Sequence, residues 1–456
     1  MDTVAARTDA MGVTELLDAY AAARVTPREV VQRVYYRLGQ DDTNAWIATR
    51  NQADVLEEAA ALATESVEDN PLYGVPFAIK DNIDYAELPT SAGCPAYTYK
   101  PETSATVVEK LLDAGALLIG KTNMDQFATG LVGTRSPYGT CKNVFNPEYI
   151  SGGSSSGSAV AVARGHVPFA LGTDTAGSGR IPAALNGLVG LKPTRGVLSN
   201  DGVVPGCASL SCVSVLARTV DDAARVEEVA AGFDPADQYS RRSADLFETP
   251  SRAHGDRCIG VPEPAQLEFF GDSESEQLFE TAIERLRSTF GAVERVDFST
   301  FEEASDLLYN GPWVAERLTT VGDFIKEHPD DIDLTVRGII RDGEMYSASD
   351  AFDAFHRLER LRKDAAAIFE TIDALVVPTL GTIYTIEGEQ LNPIEINSQL
   401  GYYTNFVNLI DLSAVSVPVG QYEQGPTFSI SIVGEAFEDA SIVSAADALH
   451  TTECTH

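Results

Sequence analysis

Gly152-Gly153-Ser154-Ser155-Ser156-Gly157-Ser158 and, about 24 residues further on, Asp174-Thr175-Ala176-Gly177-Ser178-Gly179-Arg180 are two loops of small residues. Apolar segments flank both: Ala159–Arg164 reads as a helix leaving the first, and Pro168–Gly172 as a strand entering the second. Residues this small let backbone and hydroxyl groups approach one another closely. A flexible linker fits poorly, because periodic apolar segments press on both sides. A phosphate loop fails on detail: Ser158 follows Gly157 where a lysine would be needed, Ala159 comes next, and no GxGxxG follows a strand.

Upstream, Gly74-Val75-Pro76-Phe77-Ala78-Ile79-Lys80-Asp81-Asn82 places a lysine at the end of an apolar run. Lysine is scarce here, with eight among 33 basic residues, so arginine serves the ordinary surface roles. What lysine offers and arginine does not is a proton that burial can remove. Lowering its pKa from about 10.4 to near 7 corresponds to roughly 4–5 kcal/mol of differential solvation, which demands substantial burial.

The rest of the chain alternates in the same way. Phe77–Ile79 and Ala116–Gly120 read as strands on either side of a helix at Ala105–Ala114. Thr219–Ala231 and Ser275–Phe290 read as helices, and Val293–Val296, Ala374–Val377 and Phe428–Val433 as strands. Phe301–His328 and Ser347–Thr371 read as two long helices, and Asp439–Leu449 as a last one. The first 70 residues read as helical: Thr26-Pro27-Arg28-Glu29 is a capping box with Pro at the first helical position, and Asn51–Glu65 is rich in Ala and Glu. Strands alternating with helices predict an α/β fold. With no repeat and no low-complexity linker, one domain over 1–456 is expected: a helical segment 1–70, a core 71–231, and 232–456 completing it.

Composition narrows the function classes. The 456 residues are 44% hydrophobic, enough for a large core. No apolar run approaches the roughly 18–20 residues of a membrane span, and the first residues carry acids and no signal-peptide core, so a cytoplasmic protein without membrane attachment is expected. The net charge is −35. Such a surface reads as halophilic, since concentrated salt screens its self-repulsion, and it disfavours nucleic acid as a partner. The six cysteines match no zinc spacing and the six histidines form no pair, so no metal site is expected.

Lys80, the Gly152–Ser158 loop, Asp174–Pro182 and Gly190-Leu191-Lys192-Pro193-Thr194 together resemble the amidase signature family, densely from Leu72 to about Ala230 and in order beyond. The resemblance implies that family's fold, a mixed β-sheet core covered by helices on both faces. It also implies a Ser–cis-Ser–Lys triad: Ser178 as nucleophile, Ser154 after a cis peptide bond as the bridge, and Lys80 as base. The oxyanion hole falls at Thr175, Ala176, Gly177 and Ser178, and no cofactor or metal is implied. The chemistry is coherent, because a serine hydroxyl needs a neighbour to take its proton and a tetrahedral intermediate needs donors for its charge. Ser155, Ser156 and Ser158 read as loop hydrogen-bonders and caps of the next helix. Asp174 reads as holding its loop, and Arg180 either as an internal ion-pair partner or as a substrate ligand. His166, twelve residues before Ser178, suggests a Ser-His-Asp site, but that reading leaves Lys80 and Ser154 without a role.

Within the family, Asp125–Gly139, Ser156, Ala176, Gly179, Val203-Val204-Pro205, Cys212-Val213-Ser214 and Thr404–Leu409 are similar to allophanate hydrolases. That similarity implies hydrolysis of the terminal amide of allophanate with release of ammonia through an acyl-enzyme. Tyr309-Asn310-Gly311-Pro312-Trp313-Val314-Ala315-Glu316-Arg317 resembles the segment that binds the substrate carboxylate, giving Tyr309, Arg317 and Gly130 as substrate-binding residues. Two helical turns bring residues eight apart to one face, although Pro312 implies a kink or a helix start; the plainer reading has Tyr309 in the core and Arg317 in a surface ion pair. The chain ends soon after Leu449, so no C-terminal second domain is expected. The resemblance allows a homodimer and points to a urea carboxylase as metabolic neighbour. The alternatives are the A subunit of a tRNA-dependent amidotransferase and a broad small-amide amidase.

Overall fold

The computed structural model describes residues 11–62, 66–242, 246–247 and 253–450. Among these residues eleven strands form one sheet: β1 (Trp46–Thr49), β2 (Pro76–Lys80), β3 (Leu117–Thr122), β4 (Phe169–Asp174), β5 (Val189–Lys192), β6 (Cys212–Ala217), β7 (Cys258–Pro262), β8 (Ala292–Val296), β9 (Ala374–Pro378), β10 (Ser413–Gln421) and β11 (Thr427–Gly434). Their order is β1-β3-β2-β4-β6-β5-β10-β11-β9-β7-β8. The sheet is mixed. β3, β2 and β4 run parallel, as do β9, β7 and β8, while β6, β5, β10 and β11 alternate between them.

Alternation along the strands feeds two apolar layers, because successive strand side chains point to opposite faces. Ala374 and Val376 of β9 join the layer built with Phe279, Ile283, Ile442 and Val226. Leu375 and Val377 join the other, with Phe301, Leu358, Phe369 and Phe406. Helices Val220–Ala230, Ser273–Thr289 and Asp439–Leu449 therefore cover one face, and Ser299–Tyr309, Ala348–Phe369 and Asn405–Leu409 the other. Among the described residues no helix is long and apolar enough to cross a membrane.

Parallel pairing of β2 with β4 positions the site. Phe77 pairs with Phe169, their rings stacked 5.3 Å apart, and Ile79 pairs with Leu171. The C-terminal ends of both strands, Lys80 and Thr173-Asp174, thus emerge side by side, where open α/β sheets place their ligands. The helix Ser156–Ala163 packs beneath with every residue buried, as its small, all-round apolar composition requires.

Three expectations change. The segment 1–70, expected to be helical, also contributes an edge strand, Trp46–Thr49, paired antiparallel with β3. The stretch Phe301–His328 is two helices, Ser299–Tyr309 and Trp313–Glu327, with Pro312 as the second N-cap. The helix after the first small-residue loop begins at Ser156 rather than Ala159, and no serine side chain caps it.

Candidate active site

Lys80 is fully buried at the end of β2. Its Nζ donates to Ser154 Oγ at 2.7 Å and to Thr173 Oγ1 at 2.8 Å. Burial pushes the Lys80 pKa down to about 7, against the opposing pull of Asp125 and Asp174. A lysine so placed exists in both protonation states near neutrality and can exchange a proton with a serine hydroxyl. Ser154 follows a cis peptide bond from Gly153.

Ser178 stands in the loop after β4, and its carbonyl accepts the Ser155 N–H at 3.1 Å, which ties the two loops together. The neighbouring serines are scaffolding. Ser155 Oγ bridges the Thr173 backbone, donating to its carbonyl at 3.1 Å and accepting its N–H at 3.2 Å. Ser158 Oγ donates to the Leu171 carbonyl at 3.0 Å, while Ser156 Oγ reaches the Asn123 carbonyl at 3.5 Å.

Asp174 holds the Ser178 loop from inside. Its carboxylate accepts the amides of Gly177, Gly179 and Arg180 and a two-pronged contact from the Arg180 guanidinium, both prongs 2.9 Å. Burial pushes the Asp174 pKa up, but Arg180 outweighs it and the pKa falls to about 2. Arg180 continues to the Thr404 carbonyl at 3.1 Å and Asn408 Oδ1 at 3.0 Å. Arg180 is therefore the internal ion-pair partner. The Gly177 amide is committed to Asp174 at 2.8 Å, which takes it out of the expected oxyanion set. Among the amides expected there, Thr175, Ala176 and Ser178 remain.

Opposite this loop, Arg317 comes in from the helix Trp313–Glu327. It is 2% exposed, so the reading of a surface ion pair fails. Its Nη1 donates to Thr129 Oγ1 at 2.9 Å and to the Ala128 carbonyl at 3.4 Å, and no carboxylate pairs with it among the described residues. A Cβ added at Gly206 would lie 3.1 Å from Thr175 Oγ1 and 3.3 Å from Arg317 Nη1, so the guanidinium approaches the Thr175–Ser178 loop. Gly130 follows Thr129 directly, with no room for a side chain beside Asp125 and Arg135. Tyr309 ends the preceding helix; Asn310 to Pro312 separate it from Arg317, so the two do not share one helical face. The Tyr309 side chain lies outside the described residues.

The amidase family profile matches residues 29–443, more than half of the chain. The chain belongs to the amidase family. Urea amidolyase of Saccharomyces cerevisiae is 43% identical over 408 residues, 89% of this amidase but 22% of the yeast protein. This amidase thus spans about a fifth of the length of the curated urea amidolyases it matches. The A subunit of glutamyl-tRNA(Gln) amidotransferase from Exiguobacterium sp. is 33% identical, with 96% of each chain covered. Among solved structures, Kluyveromyces lactis allophanate hydrolase superposes with a TM-score of 0.91 at 42% identity, covering 96% of this amidase and 72% of that chain.

His166 lies elsewhere, before β4 begins. Its Nδ1 accepts the Trp46 indole N–H at 3.1 Å, and burial holds its pKa down at about 4, so it is a neutral structural histidine. Sequence reasoning missed Thr173, the second acceptor of Lys80, and Asp125. Thr173 was findable only through the β2–β4 register, which no local pattern encodes. Asp125 had a weak signal, the one charged residue between Thr122 and Thr134.

Proposed function

We propose that this amidase hydrolyses the terminal amide of allophanate. The observation carrying the substrate is Arg317: a buried guanidinium with no carboxylate partner among the described residues, beside the loop of Ser178. Leaving a buried charge unpaired is costly, so a small anionic amide suits the site better than a neutral one. Gly130 and Tyr309 complete the proposed substrate contacts.

In this reading Ser178 Oγ attacks the amide carbonyl and its proton passes through Ser154 to neutral Lys80. The Thr175, Ala176 and Ser178 amides stabilise the oxyanion. Collapse returns the proton to the amino group, ammonia leaves, and water hydrolyses the acyl-enzyme along the same path. The product is a dicarboxylated amine that loses carbon dioxide. Fusion relatives named urea amidolyase support a urea carboxylase as the supplier of substrate. We further read the −35 charge as a high-salt surface; thermal unfolding should then rise in temperature with added KCl.

The deciding experiment is ammonia release from allophanate in molar KCl, beside acetamide, glutamine and biuret, with Ser178→Ala as control. Turnover of allophanate far above the others, abolished in Ser178→Ala, is expected. Preference for acetamide would make this a general amidase. Silence on every small amide would indicate an amidotransferase subunit lacking companions.

A further inference from the structure

Asp125 is buried, and no ion pair engages it among the described residues. Its carboxylate is satisfied by backbone alone: Val132 and Gly133 donate to Oδ2 at 3.2 and 3.1 Å, and Arg135 N donates to Oδ1 at 3.0 Å. The same Oδ2 lies against two separate segments. A Cβ at Gly130 would stand 2.8 Å from it, and a Cβ at Gly153 would stand 2.1 Å from it. Asp125 N donates to the Ser154 carbonyl at 3.2 Å. One carboxylate is thus wedged between the peptide that carries the bridging serine and the glycine that follows Thr129, on which Arg317 rests.

We propose that Asp125 is a positioning residue whose carboxylate registers the Thr129–Gly130 segment on the Gly153–Ser154 peptide, and so aligns the anion-binding arginine with the serine–lysine relay. The inference rests on the amidase reading of Lys80, Ser154 and Ser178. Its charge has a second effect. Lys80 faces two acids, Asp125 and Asp174. Asp174 is compensated by Arg180 and further influenced by Lys192. On the next strand Lys121 pairs with Asp81 at 3.6 Å. Around Asp125 itself stand Arg135, Glu389 and Cys141. Arg135 pairs with Glu389 at 3.7 Å and Asp125 with no cation among the described residues, so Asp125 favours protonated Lys80, and removing its charge lets Lys80 lose its proton at lower pH.

The test is Asp125→Asn in the full chain, with folding checked by circular dichroism. Two reactions are followed from pH 5 to 9: allophanate turnover, and acylation by the neutral ester p-nitrophenyl acetate. The acid limb of ester acylation should move down by about half a pH unit or more, and the KM for allophanate should rise by roughly tenfold. A uniform fall in rate, with limb and KM unmoved, would overturn the proposal. The ester arm separates the two readings: a wild type inert on allophanate but acylated by ester sinks the substrate, while the limb still reports on Asp125. If Asp125→Asn does not fold, Asp125→Ser removes the charge without turning amide hydrogens towards the Val132 and Gly133 N–H groups. It should lower the acid limb and raise the KM for allophanate in the same way, whereas an unmoved limb and KM would overturn the proposal.

Discussion

The serine–lysine floor and the arginine wall of the site are held in different ways. The floor's own groups lie between Lys80 and Arg180, and Thr404 and Asn408 brace them from further along the chain. Lys80, Ser154 and Ser178 come from strand ends and loops that bond to one another, and Asp174 grips Arg180 only six residues away. The wall reaches across the molecule: Arg317 meets Thr129 over 188 residues of sequence, from a helix that starts afresh at Trp313. In the proposed reading the floor carries the chemistry and the wall the choice of substrate, and Asp125 joins the two.

Breaking the floor has the largest effect. Ser178→Ala should lower kcat on every amide on the order of 10⁴-fold or more, measured by ammonia release. Loss confined to allophanate would contradict it. Asp174→Asn attacks the floor's support. It strands Arg180 in the core and should cost about 3–5 kcal/mol in guanidinium unfolding. The pH dependence has a defined sign. Asp174 sits at about 2 when folded, below its usual 3.8, so its stabilisation is complete above that value and disappears as pH falls towards 2.

Arg317→Ala sharpens the contrast by removing the wall alone. The KM for allophanate should rise about 10–100-fold, and acylation by a neutral ester should suffer far less. Equal losses on both would erase the distinction between floor and wall. The pH profile separates them again. With the Lys80 pKa depressed to about 7, kcat/KM should climb as pH rises through 7 and level above it, and Arg317→Ala should leave that limb in place. The smallest effect belongs to neither region. His166→Asn should change the rate by less than about twofold and cost about 0.5–1.5 kcal/mol in urea unfolding, through the lost Trp46 bond.

Sequence reading reached the strands that carry apolar runs and missed five: Trp46–Thr49, Val189–Lys192, Cys212–Ala217, Cys258–Pro262 and Ser413–Gln421. Four of these are short or lie buried with small and polar residues on both faces, as in Cys-Val-Ser-Val-Leu-Ala, where period-2 alternation vanishes. Burial, supplied by neighbours distant in the chain, made them strands.

By itself the sequence supplied the floor's parts, a scarce lysine ending an apolar run and two small-residue loops in fixed order, and the resemblance to the amidase family implied their roles. Such features are local, because a buried strand end, a close-packed Gly–Ser loop and a capping box each act within a few residues. The tertiary structure decided the rest. The parallel pairing of β2 with β4 set Thr173 beside Lys80, and Asp174 took the Gly177 amide out of the set expected to bind an oxyanion. Helix packing buried Arg317 against Thr129, and Asp125 became a wedge between two glycines. Each of these depends on which distant backbone fills the space around a polar group, and that is settled only when the layers close.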